Sequence, residues 1–259
     1  VQLTAAAGAL SDGVEEPVPV LPHGATQETW HSGTLLQRVS QDVTLDSHAI
    51  LGATTLRVRL SSSLSSALQP ALDYLDAYPY GSSDATASVL IPDALLAQGS
   101  SSLPFSAAQR SKLSDTVSRA VLRLGRFQNI DGGWGWFTTD KSDLWMTAYA
   151  AWGLTLARDA GHPVNPEVLG GAARRLKQLT AGASHRATGD GRFALAALAL
   201  AGLGAPQAAL DDLRLLQSQW AVHPEDADPS DLAMAALAAH RLGPLGAGLA
   251  QTLMAQLWS

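Results

Sequence analysis

Tyr78-Pro79-Tyr80-Gly81-Ser82-Ser83-Asp84-Ala85-Thr86-Ala87-Ser88 is a helix end, a Tyr-Pro-Tyr-Gly turn and the start of a second helix, followed by Leu90-Ile91-Pro92. Ser82 or Ser83 is the expected cap of that second helix, since a hydroxyl there can accept from an otherwise unpartnered first-turn amide. Helical periodicity continues on both sides of the turn. Leu64, Leu68, Leu72 and Leu75 form a stripe before it, and Leu113, Val117, Val121 and Leu124 form one after it, opened by Ser106 two residues beyond Pro104. Trp145, Ala148, Tyr149, Trp152 and Leu156 make a third stripe. Asn165-Pro166 and Asp228-Pro229 each place a capping residue before a proline at the first helical position. Gly161, Gly182, Gly204 and Gly243 sit just past the stripes, where a left-handed residue ends a helix. Helix starts are therefore expected near 64, 84, 106, 142, 166, 190, 206, 230 and 245. The segment 190–203 is apolar on every side, whereas 166–180 keeps Arg174, Arg175, Lys177 and Gln178 on one face. Alternation of all-round and one-sided helices predicts a double layer, inner helices covered by outer ones. A simple stacked solenoid is the alternative.

The first sixty residues have another character. Val39, Gln41, Val43 and Leu45 alternate, as do Leu56, Val58 and Leu60 beyond the Gly52 turn, which predicts β-strands. The prolines of Val18-Pro19-Val20-Leu21-Pro22 keep that piece extended.

The 259 residues carry 17 Lys+Arg against 23 Asp+Glu, a net charge of −6 with no basic cluster, so a phosphate-neutralising, nucleic-acid-binding surface is excluded. The longest apolar stretch, 193–203, is too short to span a bilayer. With no cysteine, the chain has no disulfide, no thiolate nucleophile and no thiolate metal site. The chain starts at Val1 without a signal-peptide pattern and reads as a fragment of something longer, so the missing signal carries no weight.

Few segments offer chemistry. His23, His31, His48, His162, His185, His223 and His240 form no zinc-binding spacing, and no metal or cofactor is expected. His162 and His240 fall at helix C-terminal ends, where partial positive charge is favourable. Asp226-Ala-Asp228-Pro-Ser-Asp231 is the densest carboxylate cluster, but Asp228-Pro229 is already explained as a helix start, which favours capping over general-acid work. Asp211-Asp212 is followed by Leu-Arg-Leu and lacks the further aspartate of a metal-dependent ionising cyclase.

Gln128-Asn-Ile-Asp131-Gly132-Gly133-Trp134-Gly135-Trp136 is similar to a Q-x-x-D-G-G-W-G pattern of α/α toroid proteins, among them triterpene cyclases and prenyltransferase β subunits. Its residues suit a helix-to-helix staple more than a substrate-lining loop: Gln and Asp cap backbone groups, the glycines turn, and Trp plugs. The Tyr78–Ser88 stretch resembles the thioester region of bacterial alpha-2-macroglobulins, Y-P-Y-G-C-x-E-Q-T-x-S. The likeness extends upstream to 12–22, which is similar to the linker into the family's CUB-like domain, and downstream to Asp131-Gly-Gly-Trp-Gly-Trp and Leu144-Trp-Met-Thr-Ala-Tyr. The resemblance implies a mainly α fold, an α/α toroid of two-layered helical hairpins preceded by a short β segment. With roughly nine helices, the toroid is expected to fall short of the family's usual complement. Residues 1–22 would end a preceding macroglobulin-like domain, 23–62 would supply the first CUB-like strands, and 63–259 the toroid.

The departures from the pattern carry the functional expectation. In thioester-bearing relatives the Cys thiol and the Gln side chain condense into a strained acyl bond that acylates an attacking protease. Gly81, Thr86 and Ser88 match, but Ser82 takes the Cys position, Asp84 the Glu position and Ala85 the Gln position. Ala85 has no carbonyl to acylate, and Ser82 is a poor nucleophile without a neighbouring base. His185 invites comparison with a histidine that assists transfer in some relatives; with no thioester to assist, it reads as a loop residue. What the resemblance implies is a non-enzymatic, non-covalent trap for proteases, periplasmic or in the cell envelope, acting in bacterial defence and with other envelope proteins as further candidate partners. A toroid enzyme of terpene-cyclase type and a protein-interaction module of the envelope are the alternatives.

Overall fold

In the computed structural model, which describes residues 2–8, 10–15, 17, 24–25, 27–33, 38–58, 60, 81–99, 105–182 and 191–258, five of the eight described α-helices begin at a capping side chain or a proline. The eight are α1 (Ser83–Gly99), α2 (Ala107–Phe127), α3 (Leu144–Asp159), α4 (Pro166–Gly182), α5 (Gly191–Gly202), α6 (Pro206–Val222), α7 (Pro229–Arg241) and α8 (Ala247–Leu257). Ser106 opens α2 with a capping box: its hydroxyl accepts from the Gln109 amide, and the Gln109 side chain accepts from the Ser106 amide. Asp143 caps α3 through the Met146 amide, and Asn165 and Asp228 accept from Glu167 and Ser230 just ahead of α4 and α7. Each of these eight starts lies within two residues of its expected position. The helix expected from 64 lies outside the described residues. Gly161, Gly204 and Gly243 take positive φ (87°, 73° and 59°) at helix ends. Gly182 does not: it is the last residue of α4 itself.

The chain divides into two units, Val1–Leu60 and Ser61–Ser259. In the first, β1 (Gln2–Ala7) pairs antiparallel with β2 (Leu10–Glu15), Gln2 facing Glu15 and Ala7 facing Leu10, and Gly8 turns the hairpin at φ 62°. All the strand residues are exposed. The alternating segments 38–45 and 54–58 are not strands, which corrects the reading from periodicity. A strand needs a partner ladder and a covered face. Val39, Val43, Leu56 and Val58 are exposed, and none of these segments pairs among the described residues.

In the second unit, α1, α3, α5 and α7 pack side by side as one layer, with α3 against α1 and α5, and α7 against α5. The second layer covers it: α2 packs on α1, α4 on α3, α6 on α5 and α8 on α7. Composition explains the assignment. Phe193 to Leu200 in α5 is buried without interruption, as the all-apolar sequence requires of an inner helix, while α4 is half exposed. Small residues let the inner helices approach: a Cβ on Gly202 of α5 would lie 2.8 Å from the Thr155 hydroxyl of α3.

The inner helices run parallel, because their C-terminal ends are tied together. The Gln98 amide of α1 donates to the Leu156 carbonyl of α3 (2.9 Å), and Arg158 of α3 donates to the Gly202 carbonyl of α5 (2.9 Å). Arg241 of α7 hydrogen-bonds and ion-pairs with Asp159 of α3. Gln98 adds a second donor to the Leu156 carbonyl, which the Ala160 amide already reaches, while Arg158 satisfies the Gly202 carbonyl at the end of α5 and brings positive charge to the negative end of that helix dipole. The architecture is a mainly α, two-layered array of helical hairpins. Truncating the wholly buried Leu200 to Ala should cost about 2–5 kcal/mol in chemical denaturation, whereas Leu237→Ala, on the exposed side of α7, should change stability by less than about 0.5 kcal/mol.

Candidate functional site

Gly81, Ser82, Asp84 and Ala85 lie at the start of α1. Ser82 immediately precedes the helix and is buried, Asp84 and Ala85 are half-buried in its first turn, and Gly81 is exposed. The Ser82 carbonyl accepts both the Thr86 amide (3.2 Å) and the Thr86 hydroxyl (2.8 Å), closing the turn locally. The Ser83 amide donates to the Trp136 carbonyl (2.9 Å), so the α2–α3 loop fixes where α1 begins. The Ser83 hydroxyl is buried without a hydrogen-bond partner and therefore does not act as the cap suggested for it. The Arg123 guanidinium, stacked 5.4 Å from the Phe127 ring centre, also lies over Gly81, where a Cβ would meet it at 2.5 Å. Tyr78, Pro79, Tyr80, His23 and His185 lie outside the described residues.

The loop from Gln128 to Asp143 is built as a junction between four helices. Gln128 donates to the Gly132 carbonyl inside the loop (2.9 Å) and to the Val168 carbonyl of α4 (2.8 Å). Asp131 accepts from the Gly133 amide (3.0 Å) and the Ser142 hydroxyl (2.6 Å), and its other oxygen faces Arg175 of α4 at 3.2 Å. Partial burial would raise the Asp131 pKa, but the Ser142, Gly133 and Arg175 contacts outweigh it and hold the carboxyl below the usual range. Trp134 is fully buried. Its indole donates to the Leu124 carbonyl of α2 (2.9 Å), and its backbone exchanges bonds with the Thr147 hydroxyl of α3. Gly132 has φ 89°, and a Cβ there would lie 2.5 Å from the Gly171 carbonyl oxygen of α4. The loop thus reaches α4 through Gln128, Asp131 and Gly132, α2 and α3 through Trp134, and α1 through Trp136.

The Thr147-Ala148-Tyr149 run joins the same assembly. Thr147 holds Trp134, and the Tyr149 hydroxyl lies 3.2 Å from that of Ser88 on α1. Sequence reasoning gave the loop a stapling role but missed its partners Leu124, Thr147, Val168 and Arg175. Apart from the proximity of the T-A-Y run, nothing in the local pattern signals them.

The other expected sites stay apart. Asp228 is spent on capping, its carboxylate accepting from the Ser230 amide and hydroxyl, while Asp226 sits in the short 224–226 turn. Burial holds the His162 imidazole below its usual pKa, so the positive charge expected there is disfavoured. Its ring lies 3.3 Å from the Ser118 hydroxyl instead. Among the described residues no group of three or more His, Cys, Asp or Glu could hold a metal ion, and no helix is long and apolar enough to cross a membrane. Gly132→Ala, strained at positive φ and meeting the Gly171 backbone, should cost more than about 2 kcal/mol by denaturant titration.

Comparison with known proteins agrees with this geometry. An alpha-2-macroglobulin of Thermotoga maritima is 31% identical over 113 residues, which is 44% of this chain and 7% of that protein. The solved structure of Escherichia coli alpha-2-macroglobulin activated by porcine elastase superposes with a TM-score of 0.50 at 26% identity, over 69% of this chain and 17% of that one. A drimenyl diphosphate synthase of Streptantibioticus cattleyicolor is 46% identical over 54 residues, 20% of this chain and 10% of the enzyme. The chain therefore spans only a small part of each relative's length. The family described as the A-macroglobulin TED domain matches residues 53–183, half of the chain, across the α1 turn and the Asp131–Trp136 junction. The chain belongs to the alpha-2-macroglobulin family and carries its TED domain.

Proposed function

We propose that the chain is part of a bacterial alpha-2-macroglobulin that traps proteases in the periplasm or cell envelope without a covalent thioester. The observation that carries this reading is the α1 turn. Its scaffold contacts, Ser83 to Trp136 and Thr86 to Ser82, are in place, while Ser82 and Ala85 occupy the two positions that would have to react. An acyl bond needs a thiol or an activated hydroxyl on one side and a side-chain carbonyl on the other. Ala85 supplies no carbonyl, and Ser82 has no hydrogen bond to a general base among the described residues. A turn kept without its chemistry fits a protein that holds its partner by surface contact. In this reading residues 1–22 end a preceding macroglobulin-like domain, 23–62 open a CUB-like segment, and 63–259 form the thioester-domain-like toroid. The elastase-activated Escherichia coli relative supports proteases as partners; other envelope proteins are further candidates.

The drimenyl diphosphate synthase match favours a second reading, a toroid enzyme of terpene-cyclase type. It covers a fifth of the chain, and the nearest acidic candidate, Asp228, is committed to capping α7. The protein is accordingly read as an inhibitor and not as an enzyme. Incubation of the full-length protein with a serine protease should give complexes that dissociate completely on boiling in detergent. A covalent adduct that survives would contradict the reading, and isoprenoid turnover abolished by Asp226→Asn or Asp228→Asn would favour the enzyme instead.

A further inference from the structure

The loop between α2 and α3 turns its polar groups inward and leaves apolar side chains outside. Phe137 is 58% exposed, Trp136 is 48% exposed, and Ile130 stands fully in solvent. The loop is held in shape by its own hydrogen bonds. The Phe137 amide donates to a carboxylate oxygen of Asp140 (3.0 Å), and the Asp140 amide donates back to the Phe137 carbonyl (3.0 Å). The Asn129 side chain donates to the Asp140 carbonyl (3.0 Å), which ties the turn at Ile130 to the turn at Phe137. Gly135 permits the fold-back, since a Cβ there would lie 2.5 Å from that of Asp140. Exposed apolar side chains on a fixed frame mark a contact surface.

A cation stands beside them. The Arg123 guanidinium lies 5.4 Å from the Phe127 ring centre and over Gly81, where a Cβ would meet its Nη2 at 2.5 Å. Among the described residues it makes no hydrogen bond or ion pair, not even with Asp84. The acids of the loop are engaged elsewhere: Asp131 and Asp140 accept from loop amides, and Asp143 accepts from the Met146 amide. Gly81 is two residues from Ser83, whose amide reaches the Trp136 carbonyl at 2.9 Å. At most about 13 Å therefore separates the guanidinium from that carbonyl, the span of about four extended residues.

We propose that Trp136, Phe137 and Arg123 form a docking surface for a segment of a partner protein that carries an apolar side chain within about four residues of a carboxylate. The apolar side chain covers the two rings, and the carboxylate accepts from the guanidinium. Arg123 decides the sign of the partner. A basic segment would be repelled, and a wholly apolar one would cover a charge without pairing it. Trp and Arg dominate contact energies, and here the loop and the guanidinium are ordered beforehand, so docking freezes little on this side. The inference rests on the non-covalent reading of the α1 turn: where no acyl bond holds the partner, the surface beside Ser82 supplies the hold.

The test is titration of the intact chain with the peptide acetyl-Leu-Leu-Ser-Glu-Leu-amide and with its glutamine counterpart, followed by NMR at the Trp136 indole and the Arg123 side chain. Wild type should bind the glutamate peptide saturably and the glutamine peptide about fivefold more weakly. Arg123→Gln should erase that difference, Phe137→Ser should weaken both peptides, and Leu237→Ser, on the exposed side of α7, should change neither. Melting temperatures equal to wild type in all three variants separate lost binding from lost folding. Equal affinity for the two peptides, no saturable shift up to millimolar peptide, or a loss shared by Leu237→Ser would overturn the proposal. Self-association that disappears in Phe137→Ser, with no peptide bound, would overturn it too and assign the surface to a second copy of the chain. A protease adduct that survives boiling contradicts the non-covalent reading and leaves the peptide result standing, so the two failures are distinct.

Discussion

The indole of Trp134 donating to the Leu124 carbonyl is the contact on which the rest of the helical unit depends. It buries a tryptophan completely in the loop between α2 and α3, and it cannot form unless the loop turns sharply on either side. That requirement explains Gly132, whose positive φ and close approach to Gly171 leave no room for a side chain. It also explains Asp131, which accepts from Gly133 and Ser142 and meets Arg175. Once Trp134 is seated, Trp136 presents its carbonyl to the first amide of α1. Placement of an inner helix thus follows from a loop some fifty residues further along the chain.

Local signals made much of this fold legible. Caps and prolines at Ser106, Asn165-Pro166 and Asp228-Pro229 act within one turn, so the helix starts were readable. The uninterrupted apolar run of α5 marked it as inner, because no polar face remained to meet water. The failures were non-local. Alternation at 38–45 and 54–58 predicted strands, but pairing depends on a partner that periodicity does not supply. Arg175 and Val168 lie about forty residues from the loop they hold, and no spacing rule connects them.

The candidate site was legible as a set of positions and illegible as geometry. Ser82 and Ala85 were identified by resemblance alone, and what the fold adds is that their turn is supported from outside, through Thr86 and Trp136. Support of that kind does not need an acyl bond across the turn. In the proposed reading both reacting groups are gone while the shape stays, because the turn is held by packing between α1, α2 and α3.

Hydrogen exchange at the Ser83 amide, compared with that of Trp134, tests this dependence most directly. Both amides should exchange only with opening of the whole helical unit, and both should accelerate together in Gly132→Ala. Rapid exchange at Ser83 beside a protected Trp134 would contradict the account, since the start of α1 would then be formed without the loop.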